Sequence, residues 1–357
     1  MEKYAKIYVA GHRGLVGSAI VRTLKAEGYA NVLCRTHSRL DLTSQKSVAA
    51  FFEQERPEYV FLAAAKVGGI MANSTYPADF IRDNILIQAN VIESAYRSQV
   101  KRLLFLGSSC IYPKMAQQPI KESYLMTGPL EPTNSAYAIA KISGVEMCWS
   151  YNRQYDTQFV PVMPTNLYGA GDNFDLETSH VLPALIRKFH LAKLISEGDL
   201  SSVAEDEKRF GTIPDDIKAS LGFDLKSENP DSMGALPSTV TLWGSGTPRR
   251  EFLHVDDLAE ACVFLMGLDV KTLMPEGTPS VLINIGVGLD VTIKGLAEMV
   301  KTIVGYKGSI TYDASKPDGT PQKLLDVSLI NSLGWSANID LEEGIRQTYQ
   351  WYLQQTA

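Results

Sequence analysis

The chain has 357 residues, with 34 basic against 40 acidic side chains and a formal net charge of −6. That length predicts about two domains, and the acidic balance argues against a general nucleic-acid binder, which carries a basic face. With 45% hydrophobic residues the chain is globular rather than disordered, and its longest apolar runs, such as Val60–Ala65, are far shorter than a membrane span of ~20 residues.

Met1–Lys6 runs directly into a strand pattern, which predicts no signal peptide. Lys6–Ala10 reads as a buried strand, Val16–Glu27 as a helix and Val32–Cys34 as a second strand. Ser44–Glu55 reads as a helix, Tyr59–Leu62 as a strand and Asp79–Ser98 as a long helix. Arg102–Leu106 and Phe159–Met163 read as strands flanking a helix at Tyr137–Tyr155. This alternation predicts an α/β fold with a parallel sheet covered on both faces, binding its ligands at the carboxyl ends of the strands. Residues 1–168 form the predicted nucleotide-binding domain, to which later segments return. Residues 169–357 form a smaller mixed α/β domain. It opens with a helix at Val181–Leu194, followed by a polar, acidic stretch at about 196–238 that includes Glu205-Asp206-Glu207. That stretch reads as a mobile insertion or a small subdomain with a helix at Asp215–Leu221. A strand at Thr239–Trp243, a helix at Asp256–Met266, a strand at Leu282–Ile285 and a helix at Thr292–Val304 complete the pattern. The cysteines at 34, 110, 148 and 262 form no C-x-x-C, and the histidines at 12, 37, 180, 190 and 254 lack metal-ligand spacing. No disulfide framework and no metal are expected, and a reducing cytoplasm is.

Gly11-His12-Arg13-Gly14-Leu15-Val16-Gly17 follows the first strand and opens the first helix. Its glycines permit a tight turn and close backbone approach to a pyrophosphate, which the helix N-terminus attracts. The end of the second strand, Cys34-Arg35-Thr36-His37-Ser38-Arg39, carries no carboxylate for a ribose 2′-hydroxyl before Asp41. Arg13 and Arg35, with Arg39, suit a 2′-phosphate and favour NADP over NAD; solvated surface charge is the plainer reading of Arg35 and Arg39. Asp41 is placed at the adenine edge.

Tyr137 and Lys141 stand at i and i+4 on one helix face. A cation there is expected to pull the phenol pKa down towards what acid–base work needs. Ser108, just after the fourth strand, suits a hydrogen bond to a substrate carbonyl. Cys110, two residues on, would point the same way from an extended strand end. It reads either as a base for a carbon acid or as a small buried apolar residue. His180, at a helix start, reads either as a proton donor to the opposite face of a sugar ring or as a surface imidazole.

These residues together resemble the extended short-chain dehydrogenase/reductases, and within them the 3,5-epimerase-4-reductases of GDP-4-keto-6-deoxymannose. The matching stretches include Gly11–Ala19, Ala63–Ile70, Tyr76–Phe80, Leu106–Pro113, Tyr137–Lys141, Met163–Gly169, Arg250–Asp257 and Lys316–Pro321. The resemblance implies a Rossmann-type doubly wound parallel sheet with a smaller mixed α/β substrate domain. It implies Ser108, Tyr137 and Lys141 as the reductase triad, with Cys110 and His180 as base and acid for epimerisation at C3 and C5. NADPH then reduces C4, giving GDP-L-fucose. Matching positions imply cofactor contacts from Leu42, Leu106, Gly107, Lys141, Pro164, Thr165, Asn166, Leu167 and His180. They imply GDP-sugar contacts from Lys188, Trp243, Arg250 and Asp318. A homodimer through the helices near 79–98 and 137–155 is also implied.

Two departures stand out. Roughly 40 extra residues, at about 197–237, separate the His180 helix from the Trp243 strand, and His37 stands where an arginine is familiar. Rival enzymes fit less well: a 4,6-dehydratase needs an Asp-Glu pair where Cys110-Ile111 stands, and a 4-epimerase needs neither Cys110 nor His180. A related 4-keto sugar, such as a heptose, remains open. A cofactor-sensing regulator would tend to lose the Tyr137–Lys141 pair.

Overall fold

The computed structural model describes residues 1–221, 239–273, 280–316 and 318–356. In chain order the elements are β1 (Ile7–Ala10), α1 (Leu15–Ala26), β2 (Val32–Leu33), α2 (Gln45–Glu55), β3 (Tyr59–Leu62), α3 (Ile70–Thr75), α4 (Pro77–Arg97), β4 (Arg102–Leu106), α5 (Ser135–Tyr155) and β5 (Phe159–Pro164). Then come β6 (Asn166–Tyr168), α6 (Val181–Glu197), α7 (Leu200–Phe210), α8 (Asp215–Ser220), β7 (Thr239–Trp243), β8 (Arg249–His254) and α9 (Val255–Gly267). The chain ends with β9 (Ile283–Ile285), β10 (Asp290–Thr292), α10 (Ile293–Val304), β11 (Ser309–Asp313), β12 (Gln322–Lys323), α11 (Ser328–Ser332) and α12 (Leu341–Thr356).

The chain divides into two units. The first comprises residues 1–167, 251–289 and 324–339. Its core is a sheet in the order β2-β1-β3-β4-β5-β9, parallel at every pairing. Every residue of β1, β3, β4 and β5 is buried, as expected of a sheet covered on both faces. This is the Rossmann-like α/β arrangement. The chain order reverses between β1 and β3, and such a switch point opens a crevice at the carboxyl ends of the strands.

The second unit comprises residues 168–250, 290–323 and 340–357. Here β7 and β11 pair in parallel, Thr239 beside Ser309 and Trp243 beside Asp313, while α6 packs against α7 and α10. The polar stretch after α6 is therefore not a plain loop. Asp199 caps α7, its Oδ1 accepting from Ser202 N at 3.1 Å. Gly211, with φ of +94°, ends the helix. The rest of the insertion, 222–238, lies outside the described residues. Among the described residues no helix is long and apolar enough to cross a membrane.

Candidate active site

The phosphate cradle is built from backbone. Gly11 has φ of +86°, and a Cβ on it would lie 2.7 Å from Ala64 N, just after β3. A Cβ on Gly17 would lie 2.2 Å from Gly11 O, so α1 leaves β1 at a distance only glycine tolerates. Gly14 differs: its Cβ would meet nothing closer than 3.5 Å. It begins α1 with no side-chain cap and no acidic residue in the first turn. The free N–H groups of that turn and its positive dipole end suit an anion, so the residues present fit a dinucleotide pyrophosphate. Arg13 is exposed and His12 partly buried, while Leu15 and Val16 pack on the core.

Arg35 is not a solvated charge. Its Nη2 donates to Glu55 Oε1 at 2.6 Å and its Nη1 to Cys34 O at 3.0 Å. Asp41 accepts from Thr43 Oγ1 and Thr43 N at 2.7 and 2.9 Å, and these bonds hold its carboxyl below the ordinary range. Leu42 O accepts from Asn90 Nδ2 at 2.9 Å.

The second cluster lies past the end of β4. Gly107 N donates to Val162 O at 2.9 Å, and a Cβ on Gly107 would collide with the Met163 side chain. Ser108 is extended, but Ser109–Ile111 forms a 3₁₀ turn whose first N–H bonds are capped by Ser108 Oγ, which accepts from Cys110 N at 3.4 Å. The expected extended strand end is therefore corrected: the backbone turns between Ser108 and Cys110, and spacing does not set their common direction. What places Cys110 in the cluster is the packing of its 3₁₀ turn against α5, the helix that carries Tyr137 and Lys141.

Tyr137 lies in the first turn of α5, edge-on to Phe80 at a centroid distance of 6.4 Å. Lys141 is buried. Its Nζ donates to Leu106 O at 2.7 Å and stands 5.8 Å from the Tyr137 ring centroid. The expected lowering of the Tyr137 pKa is reversed. Burial, then the Cys110 charge, pushes the phenol up, and burial brings Lys141 down to about 8. Desolvation dominates, and the hydrogen bond of Lys141 Nζ goes to a carbonyl rather than to the phenol. Tyr137 is thus held protonated at neutral pH.

Pro164 closes β5, and the turn after it is tied to Glu251 O, which accepts from Thr165 Oγ1 at 3.4 Å and Asn166 Nδ2 at 2.7 Å. Leu167 packs on the core.

The second unit carries the other predicted residues. His180 stands at the N-terminus of α6, solvent-exposed; crowding by protein and then the Lys323 charge keep its imidazole below the ordinary value. Lys188, two turns on, is half-buried, and desolvation lowers it against the opposing pull of Asp216. Trp243 is 56% exposed, with Lys316 Nζ 5.2 Å from its ring centroid. Arg250 Nη1 donates to Arg249 O at 2.7 Å. Asp318 accepts from Ser245 Oγ and Ser245 N at 2.7 and 2.9 Å. Pro317, beside it in the matching stretch, lies outside the described residues. Glu55, Asp216, Lys316 and Lys323 were not singled out from sequence. Each acts on a predicted residue from an element distant in the chain or in the insertion, so no local spacing announces it. Among the described residues no group of three or more His, Cys, Asp or Glu is arranged to hold a metal.

The chain matches the NAD dependent epimerase/dehydratase family over residues 7–211 and 229–285. It is 54% identical over 354 residues to a putative GDP-L-fucose synthase 2 of Arabidopsis thaliana, covering 99% of this chain and 93% of that one. It is 48% identical to the GDP-L-fucose synthase of Escherichia coli K12, covering 98% and 97%. Among solved structures, a GDP-D-glycero-L-gluco-heptose synthase from Campylobacter jejuni, determined in the presence of NADPH, superposes with a TM-score of 0.88. That protein is 43% identical, with 99% of both chains covered.

Proposed function

Because the chain belongs to the NAD dependent epimerase/dehydratase family, we propose that it converts GDP-4-keto-6-deoxy-D-mannose to GDP-L-fucose. The reaction is 3,5-epimerisation followed by reduction at C4. The observation that carries this reading is the packing of the Ser109–Ile111 turn against α5, which brings Cys110 and Ser108 to the helix that carries Tyr137 and Lys141. A plain reductase has no use for the thiol.

The 4-ketone acidifies the hydrogens at C3 and C5 by enolate formation. Cys110 removes a proton from one face and His180 returns one to the other. Ser108 and Tyr137 hydrogen-bond the developing oxyanion. NADPH, when bound, supplies the hydride to C4. Tyr137, protonated at neutral pH, delivers the proton to the C4 oxygen, and Lys141 anchors its face of α5 through Leu106 O. The Gly11–Gly17 loop, with Leu106, Gly107 and the 164–167 turn, holds the dinucleotide, and Arg13 and Arg35 meet its 2′-phosphate. Lys188 and Arg250 hold the GDP pyrophosphate, with Trp243 and Asp318 against the rest of the sugar nucleotide. A second reading keeps this chemistry on a GDP-4-keto heptose; the likeness to the Campylobacter heptose synthase favours it.

In this reading the enzyme is a cytoplasmic homodimer. A working thiol base suits a reducing compartment, and α4 and α5 expose Ile85, Leu86, Ile139 and Tyr155 as an apolar face for a second copy. Ultracentrifugation at micromolar concentration showing a monomer would remove the dimer.

The test is turnover of GDP-4-keto-6-deoxymannose with NADPH in D₂O. NADPH oxidation with deuterium at C3 and C5 of the product is expected. Oxidation without deuterium would leave a 4-ketoreductase, and turnover of the heptose alone would select the second reading.

A further inference from the structure

The helix that follows His180 is tied to the inserted segment by a charge cluster that the proposed chemistry does not use. Arg187 in α6 and Asp206 in α7 are both completely buried, with Arg187 Nε 2.8 Å from Asp206 Oδ1. The other guanidinium N–H groups donate to backbone: Nη1 to Phe174 O at 3.1 Å and Phe210 O at 2.9 Å, and Nη2 to Gly211 O. Tyr352 of α12 donates its hydroxyl to the second oxygen of Asp206.

The same place anchors the loop that leads to His180. The buried Phe174 ring sits among Phe210, Trp351 and Tyr352, at centroid distances of 5.4, 6.1 and 4.8 Å. Next in the chain, Asp175 Oδ1 accepts from Thr178 Oγ1, Thr178 N and Glu177 N at 2.7, 3.0 and 3.2 Å. Its carbonyl accepts from Ser179 N at 2.8 Å. Gly211, at the end of α7, approaches so closely that a Cβ there would stand 2.6 Å from Asp175 Oδ2.

We propose that α7 braces the catalytic and substrate-binding helix: Asp206 and Phe210, acting through Arg187 and Phe174, fix the 174–180 loop and thereby position His180 and Lys188. The inference rests on the reading of those two residues given above. Arg187 and Asp206 are positioning residues, since neither touches the reacting groups. Stability alone does not call for this cluster, because well-packed apolar side chains of similar volume do as well or better than a buried ion pair. What the guanidinium adds is direction. Its planar donors meet Asp206 and three backbone carbonyls at once, which admits one geometry for the loop and one for the end of α7.

The test replaces the charges by apolar groups of similar bulk, in Arg187→Met/Asp206→Leu/Tyr352→Phe, with folding checked by circular dichroism. Two rates are compared with wild type: deuterium exchange at C3 and C5, and reduction of the already epimerised 4-keto sugar. A brace predicts exchange slowed ~100-fold and KM for the GDP-sugar raised ~10-fold, as a misplacement of about 1 Å does. The kcat for reduction, which uses Ser108, Tyr137 and Lys141, should stay near wild type. Arg187→Lys, which keeps the charge but not the planar fork, should recover part of the exchange. Phe210→Leu, which leaves the ion pair intact, should show the same split in smaller measure, and it carries the test if the triple variant does not fold. Proportional loss of exchange and reduction in a folded variant, or loss of neither, overturns the brace. Absence of exchange in wild type overturns the parent reading, and the brace with it.

Discussion

The two units are held together differently. In the first, β1, β3, β4 and β5 are short runs, apolar but for Arg102, buried along their whole length, and the sheet follows from hydrophobic burial with backbone pairing. In the second, apolar groups such as Leu185, Phe189, Val240 and Val300 are buried too, but among them stand specific buried polar joints, Arg187–Asp206 and His190–Tyr349 at 3.0 Å. An apolar core tolerates exchange of one aliphatic group for another when volume is kept. A polar joint tolerates little, because a stranded buried partner costs its full desolvation. The first unit accordingly reads as a scaffold with chemistry at its strand ends, and the second as a set of aimed side chains.

The sharpest break in that comparison comes from removing one proton donor on each side. Tyr137→Phe should slow NADPH oxidation by ~10³-fold, within the range general acid–base groups supply, with an unchanged melting temperature. His180→Asn should instead stop epimerisation, with the deuterium it brings in, at both C3 and C5 and leave reduction of the epimerised ketone near wild type. Equal effects of the two on reduction would show that the labour is not divided between the units.

The next effect is on stability, at one of the first unit's own buried polar groups. Glu251 is completely buried. Its Oε1 accepts from Val287 N at 2.6 Å and Gly288 N at 2.7 Å, and its Oε2 from Leu325 N at 3.0 Å. Glu251→Gln must turn an amide NH₂ onto one of those N–H groups. It should cost ~2 kcal/mol in urea unfolding while the kinetics of the surviving native enzyme hold.

A pH profile separates charge from scaffold. Lys141 titrates at about 8, below its ordinary 10.5, so its cation is lost as pH rises through that value, and the rate of reduction should fall there. Its contribution to stability runs the other way. A group whose folded pKa is depressed binds more protons unfolded, so stability rises between pH 8 and 10.5. Lys141→Met should lack that rise in thermal melts; a rise of equal size in the variant would assign it to another group.

This division also explains how much was legible in the sequence. The strands at Tyr59–Leu62 and Arg102–Leu106 are predicted to the residue, because apolar runs between turns announce buried strands, and the glycine cradle is legible because its spacing is its mechanism. The reversed shift of Tyr137 was not legible: spacing puts Lys141 on the right face but does not say how deeply the phenol is buried. Helix α7 was missed although Asp199 and Gly211 mark its ends, because Glu205-Asp206-Glu207 reads as solvent-facing and only the structure buries the middle carboxylate under Arg187. Local patterns announce burial of apolar groups, whereas burial of a charge is decided by a partner far away in the chain.

Arg35 is the same lesson inside the first unit, and it yields the smallest effect. Its guanidinium is engaged by Glu55 at 2.6 Å, lies 5.5 Å over the Phe51 ring, and shares Glu55 with Lys6 at 3.6 Å. In the proposed reading a 2′-phosphate would therefore meet a cation already partly neutralised, with a carboxylate nearby. Glu55→Gln removes that negative charge and leaves the side chain long enough to keep Arg35 in place. For a half-exposed pair the gain is ~1 kcal/mol or less, so NADPH should bind about threefold to fivefold more tightly. NADH, which lacks the phosphate, should bind as before. If both cofactors weaken together, Glu55 serves only to hold the end of β2 in shape. If neither changes, the 2′-phosphate lies beyond Arg35, and Arg13 carries the preference alone.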